Sequence, residues 1–567
     1  MLTLKNYKLN LFSAAILLFS CTFFACTRKT ELAEDPYAGG KQVLDINFVT
    51  KSTELGTINA GSQVSLKVKG LMKYKDNFKL FVNEIEAEVL NFTDSTIAFQ
   101  VPLTASTGSV WITAMDQTFF GPILTVGGKV SVDRSFKVVN GAGRLNGGGA
   151  ATVFDIEQLP SGRFWVTGAF NNFELKGTEA KPNAGIAQTD ADGAYITNNI
   201  DFGKGVVGGA GIIYSISRIT TGAHNGKFII GGSFTAFNSA KPNKQIINNV
   251  TRLNVDGKLD TMKTSDRDIA GNSLVPIVNP KPEETWKNND TVPAFNAGVD
   301  GIVRKVFTFG EKVYILGNFQ NFKRIYYPNS TYDDKVYDYT RMRQMVRVNA
   351  DGSLDSTFHY LKNINQSGIA GDGAIIDATM QADGKLILVG NFQNYNGVSA
   401  KRIVRLNLDG SVDQSFQTGT GADGDISSIR FNSTTNKFVV TGNFTKFNGK
   451  SVSGVCLLNA NGSVVDSFNT QAITGGGVSW AGQLNNGKII VSGTFNKYGD
   501  YLRQGFMILE ADGTLKPEYN NTGGFQGRIY DMVETSVANG TKVILVGDIV
   551  RFNGTLPKNL MRITIAN

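Results

Sequence analysis

Histidine is almost missing from this chain: His224 and His359 are the only two in 567 residues. His224 falls in a turn-like stretch and His359 just after a repeated segment. They give no metal cluster and no Ser-His-Asp or Cys-His order. Cysteine is nearly as scarce, with Cys21 and Cys26 near the start and Cys456 alone in the body. One body thiol excludes a disulfide framework and a cysteine-based metal site. Cys456, inside the apolar run Gly454–Leu458, reads as a small buried hydrophobe. Charge never concentrates either: the formal net charge of +8 is spread without a Lys/Arg run, which argues against nucleic acid. The apolar run Leu11–Phe19 is too short to span a bilayer. No catalytic set, metal or cofactor is therefore expected. One chemistry survives these absences, a pair of carboxylates brought together by folding as in glycosidases.

What the chain has is glycine, 64 residues against 13 prolines, and short alternating apolar runs, which suit an all-β, turn-rich protein. The segment Ile375–Phe416 holds four strand-like runs: Ile375–Thr379, Lys385–Val389, Ile403–Leu408 and Ser411–Phe416. Asp383-Gly384, Asn396-Gly397 and Asp409-Gly410 supply tight turns, expected as type I′ with φ > 0 at both central residues. The pairs at Asp192, Asp256, Asp351, Asp409 and Asp512 mimic fragments of a calcium loop. They lack its spacing and terminal Glu, so they too read as turns.

The unit recurs. Its Gly-x-Phe mark stands at Gly168, Gly232, Gly317, Gly390, Gly442 and Gly493, with a degenerate copy at Gly547-Asp548-Ile549. An aromatic follows three residues later each time: Phe173, Phe237, Phe322, Tyr395, Phe447, Tyr498 and Phe552. Seven four-stranded units at a period of about 50 residues predict a seven-bladed β-propeller over residues 128–567. Val132-Asp133-Arg134-Ser135-Phe136 carries the unit's ending before the first full copy, while the last copy stops at Leu560–Ile565 without one. Residues 128–152 are thus expected to complete the last blade, removing two exposed sheet edges. The runs ADGKLILVGNF and RLNLDGSVDQSF resemble the delta-60 repeat of bacterial β-propellers, a likeness that implies architecture and little chemistry.

Residues 1–25 read as a signal peptide, with Lys5 and Lys8 before the apolar run. Both cysteines follow a small residue, so the segment resembles a bacterial lipoprotein signal. Cleavage before Cys26 leaves a polar terminus and makes Cys26 the lipidated residue. Cys21 is the alternative, with Leu18 in the usual lipobox position. Residues 26–41 form a polar tether, whose Glu31, Glu34 and Asp35 resemble the export signal of Bacteroidetes surface lipoproteins. Residues 42–127 alternate over Gln63–Val68, Ile97–Val101 and Ser109–Thr113, which predicts a small β-sandwich with Trp111 in its core. GTINAGSQVSLKVKG and GSVWITA resemble the immunoglobulin-like IPT/TIG domain, which implies a spacer or interaction module.

Aligning the innermost strands on their apolar positions puts Asp155, Ser215, Lys305, Asp377, Ser428, Trp480 and Asp531 at one level of the channel. Asp155, Asp377, Asp531 and Trp480 are candidates to hold a ligand there, or else are solvated channel residues. Two insertions interrupt the repeat. Thr261–Ala297 carries Trp286, and Lys323–Thr340 carries Tyr326, Tyr327, Tyr332, Tyr337 and Tyr339. Aromatics on loops offer stacking surfaces for sugar rings, or pack the insertion onto its own blade. Both insertions are placed between second and third strands, so they are expected on one face, around the channel mouth. The expected function is that of a non-catalytic outer-membrane lipoprotein that binds a glycan or another extracellular ligand. The alternatives are a protein–protein scaffold of an outer-membrane complex and a glycoside-cleaving enzyme.

Overall fold

The computed structural model describes residues 43–239, 246–263, 291–326 and 335–567. Cys21, Cys26, Trp286, Tyr327 and Tyr332 lie outside them. The described chain is all-β, with a few short 3-10 turns. Among the described residues, no helix is long and apolar enough to cross a membrane.

Eight strands between Asn47 and Gly127 join into one system. Gln63–Lys69 alternates exposed and buried residues, as a strand with one solvated face must. Its Val64, Leu66 and Val68 meet Ile97, Phe99, Ile112 and Leu124 in a common core. Trp111 is not in that core, because Val110 and Ile112 take the buried positions of its strand. The indole stacks outward on Phe81 at 4.0 Å.

Of the sheets that follow among the described residues, those built on an inner strand have three strands each, where four were expected, and only the last has four. Their inner strands are Thr152–Gln158, Ile212–Arg218, Ile302–Phe309, Ile375–Met380, Ile426–Asn432, Val478–Gln483 and Phe525–Val537. Each inner strand lies beside the next, and the first beside the last, so the sheets close into a propeller-like ring. Second strands such as Leu386–Gly390 and Ile489–Gly493 are buried on both faces between neighbouring sheets, which explains their continuous apolar runs. The last sheet takes its outer strand from the other end of the ring: Val130–Val132 pairs antiparallel with Ile563–Ile565.

An ion-paired unit repeats inside four sheets. Asp413 receives Arg405 Nε at 2.9 Å and Lys385 Nζ at 2.7 Å. Asp260 does the same with Arg252 and Lys227, Asp355 with Arg347 and Lys312, and Asp133 with Arg562 and Lys542. Each arginine also stacks on the phenylalanine three residues after the aspartate where the repeat is unbroken: Phe358, Phe416 and Phe136. Its Nη1 donates to a carbonyl of the following sheet, Ala460 O at 2.8 Å for Arg405 and Ala191 O at 2.9 Å for Arg562.

The turns divide by chemistry. Asn396-Gly397 has φ of 48° and 78° and joins Tyr395 to Val398 directly, the I′ geometry expected. At Asp409-Gly410 only the glycine is left-handed, with φ of 81°. The Asp409 carboxylate instead accepts the Ser411 N–H at 2.9 Å, a side-chain turn of the kind aspartate favours.

The insertions do not leave at equivalent points. Residues 321–341 lie between the second and third strands of their sheet, whereas residues 261–293 follow Asp260, after the third strand of the preceding sheet. They still meet: Met262, Val292, Ile325 and Tyr337 form one apolar cluster, and Ile325 N donates to Asn296 Oδ1 at 3.1 Å. The reason is general to the ring. The segment entering a sheet and that sheet's own second-to-third hairpin share a face, as the bridges Val299–Phe322, Gly371–Tyr395 and Ala422–Phe447 show.

Candidate functional site at the channel mouth

Each of the seven inner strands carries a register shift at its start, between Val153 and Asp155, Ile213 and Ser215, and so on to Ile529 and Asp531. A bulge leaves one residue unpaired and re-aims its neighbours. The two residues at each bulge then do different work.

The residue after the bulge is the one the sequence alignment places in the channel. Four of these side chains accept a backbone N–H from the next sheet. Asp155 takes Ile216 N at 3.0 Å, Ser215 takes Val306 N at 3.3 Å, Asp377 takes Ile429 N at 3.0 Å, and Asp531 takes Ile156 N at 3.4 Å across the closure. They are staples between sheets. Lys305 and Ser428 turn to Asp377, at 3.8 and 3.2 Å. Trp480 is 2% exposed and packs with Ile529 and Leu545, so it offers little surface to a ligand.

Charge in the channel is concentrated at two places. Arg430 spans it, with Nη1 at 3.3 Å from Asp377 and Nε at 3.9 Å from Asp531, and donates to the Tyr530 carbonyl. On the other side Asp155, Asp531 and Glu157 converge. Burial, then the Asp155 charge, pushes the Asp531 carboxyl up to about 7 and Glu157 up to about 8. Asp155 and Asp531 are thus brought together, while Asp377 is paired with Lys305 and Arg430. Among the described residues, no group of His, Cys, Asp or Glu is arranged to hold a metal ion.

The bulged residue itself faces the channel mouth, at the inner-strand ends where the hairpin face opens. Phe154, Tyr214 and Tyr530 lie side by side, with ring centroids 4.8 Å apart for Phe154–Tyr214 and 5.0 Å for Phe154–Tyr530. Arg304 caps one end, 4.5 Å above Tyr214, and Arg528 the other, 5.0 Å from Tyr530. This arc borders an open cavity of about 440 Å³, whose far wall includes Ile376, Ser427 and Trp480. Lys305, Asp377, Ser428 and Trp480 of the aligned column line this cavity too, but its aromatic arc comes from residues the alignment did not single out. The signal was in the neighbouring column, which reads Phe, Tyr, Arg, Ile, Ser, Ser, Tyr.

None of the described insertion tyrosines lines this cavity. Tyr337 packs in the cluster between the insertions, with the Lys323 ammonium 4.1 Å from its ring centre. Tyr339 and Tyr326 are exposed on the same insertion. A larger hollow, about 620 Å³, opens further out between the third and fourth sheets, beside His359, Leu361, Ile364 and Ile369. Burial pushes the His359 imidazole down to about 4, so it is neutral there.

Four segments, residues 336–358, 381–416, 435–468 and 484–517, match a family model described as "Domain of unknown function (DUF5122) beta-propeller". Residues 19–122 match another, "Domain of unknown function (DUF5008)". No curated protein matches the chain. Among solved structures it is similar to the WD40 β-propeller domain of Doa1, at 13% identity and a TM-score of 0.37, over 73% of this chain and 94% of that one. It is similar to Sqt1 of Saccharomyces cerevisiae at 10% identity and 0.32, over 76% and 100%. An auxiliary nutrient binding protein from Bacteroides ovatus aligns at 11% identity and 0.19, over 70% and 95%.

Proposed function

We propose that the chain is a non-catalytic binding protein, lipid-anchored through Cys26 (or Cys21) in the outer membrane and facing the cell exterior, whose ligand is a glycan. In this reading an immunoglobulin-like domain of IPT/TIG type carries a seven-bladed propeller of delta-60 type repeats, and the ligand sits at the channel mouth. The observation that carries it is the arc Tyr214–Phe154–Tyr530 beside an open cavity. Three adjoining aromatics that are not fully buried offer the apolar contact a sugar ring's C–H face takes. The enzyme reading is weaker because the channel carboxylates Asp155, Asp377 and Asp531 accept backbone N–H groups that hold the sheets together.

Screening the full chain against a glycan array, with turnover measured on the same sugars, tests this. Binding without product release is expected, and Tyr214→Ala should weaken it by about 1–2 kcal/mol with the unfolding midpoint kept. Release of reducing ends would establish the enzyme instead, and silence across the array would leave the scaffold.

A further inference from the structure

The cations at the channel mouth are not equally engaged. Arg430 and Lys305 are neutralised by Asp377, and Arg430 lies near Asp531 as well. Arg304 and Arg528 are not: among the described residues, neither has a carboxylate within ion-pair distance. Arg304 is exposed, and the Arg528 Nε is buried without a hydrogen-bond partner. Both guanidiniums stack on an aromatic ring, and the two rings they stack on are the ends of one arc. A stacked guanidinium is held by its face and keeps its N–H edge free, the edge that takes a carboxylate or sulfate through two parallel hydrogen bonds.

We infer that the channel mouth selects acidic oligosaccharides. A sugar ring lies against Phe154 and its tyrosine neighbours, and carboxylate or sulfate groups at either end of the bound segment meet Arg304 and Arg528. This rests on the glycan reading and sharpens it: a neutral sugar would fill the arc and leave two guanidiniums facing nothing. Ile376, Ser427 and Ser479, the bulged residues opposite, add no charge, so the anion preference belongs to one side of the mouth and orients the ligand.

The experiment is titration calorimetry of the full chain with uronate-containing oligosaccharides, the same oligosaccharides as methyl esters, and sulfated oligosaccharides. The ester keeps the ring and removes the charge. At low salt at least one acidic sugar should bind tenfold or more tighter than its ester or its unsulfated counterpart. The gap should close as salt rises, since exposed charges are screened. Arg304→Gln with Arg528→Gln should erase the preference while Tyr214→Ala weakens acid and ester alike. Tighter binding of the uronate assigns the anion as carboxylate, and of the sulfated sugar as sulfate. Equal affinity of each acid and its neutral partner, read on the unaltered chain and so independent of how the variants fold, overturns the inference and leaves glycan binding standing. Binding of no sugar, charged or neutral, overturns the glycan reading itself.

Discussion

Glu157 stands one turn of the pleat below Asp155, on the same inner strand and facing the same side, and two of the three carboxyls there hold their protons well above the usual range. Burial is the first cause for Glu157 and the Asp155 charge the second, with Arg218 pulling the other way. A carboxyl whose folded value is raised stabilises the fold at low pH, and that contribution is lost as the pH climbs from its unfolded value, 4.5, through its folded value, about 8. Glu157→Gln should therefore leave stability unchanged near pH 4 and raise it near pH 9. The gain should be about 1–3 kcal/mol, each pK unit being about 1.4 kcal/mol before screening at a half-buried site takes its share. Thermal unfolding of both proteins from pH 4 to 9 measures this, and curves that run parallel would refute it. The channel was only half legible at this scale. Alignment found which residues share a level, because apolar flanks such as Val153 and Ile156 mark the strand. It could not find the bulge, which depends on pairing with the second strand, and so could not tell the staple at Asp155 from the open ring at Phe154.

The sheets owe their repeat to a few side chains that are visible in sequence only once their partners are known. Arg405 and Asp413 are both under a tenth exposed, and the pair ties the third strand to the segment after it, which meets that strand at the Leu406–Val412 bridge, while Arg405 also reaches Ala460 O of the next sheet. Burial opposes ionisation of Asp413, but hydrogen bonds from Lys385 and Ser415, with the Arg405 charge, outweigh it and hold the carboxyl below the usual range. Its contribution is thus present above pH 3.8 and is lost as the pH falls toward the folded value. Asp413→Asn strands two cations, one of them buried, and should cost about 3–5 kcal/mol at pH 7, with the penalty narrowing below pH 3.8. Urea unfolding at both pH values checks it, and a loss under about 1 kcal/mol at neutral pH would show that the triad is an incidental contact. The aspartate-glycine turns teach a related lesson. Their positions were legible from the dipeptide, but their type was not, since Asp409 caps Ser411 instead of adopting positive φ. The point of the first insertion escaped for a different reason: the ending Asp-x-x-Phe is split by the insertion itself, with Asp260 before it and Phe295 after.

At the scale of the whole molecule, the ring is held shut by a strand that arrives from the other end of the chain. Val130–Val132 adds the outer strand to the sheet of residues 525–566, Asp133 N donates to Arg562 O and Ala566 N to Lys129 O, each at 2.8 Å. The Asp133 carboxylate meets Arg562 at 2.7 Å and Lys542 at 2.9 Å. On the inner side Asp531 accepts Ile156 N, and on the outer side Arg562 donates to Ala191 O, so the first and last sheets are fastened at both edges. This much was legible because the ending Val-Asp-Arg-Ser-Phe is misplaced in the repeat order, and a misplaced strand has only one free edge to fill. Antiparallel pairing alternates hydrogen-bonded and open positions, and with Asp133 bonded to Arg562, Ser131 opposite Thr564 is also a bonded position. Ser131→Pro removes that N–H from the closing ladder without touching the core, since Ser131 is exposed. Hydrogen exchange should then speed up along Leu560–Ala566 and, through it, along Gly540–Phe552, while Leu386–Gly390 on the far side of the ring keeps its protection. The lost bond and the frayed edge together should cost about 1–3 kcal/mol. Unchanged exchange at Leu560–Ala566 would mean that the Asp133 ion pairs close the ring without the strand, and uniform loss of protection in every sheet would mean that the ring unfolds as one unit once its ends part.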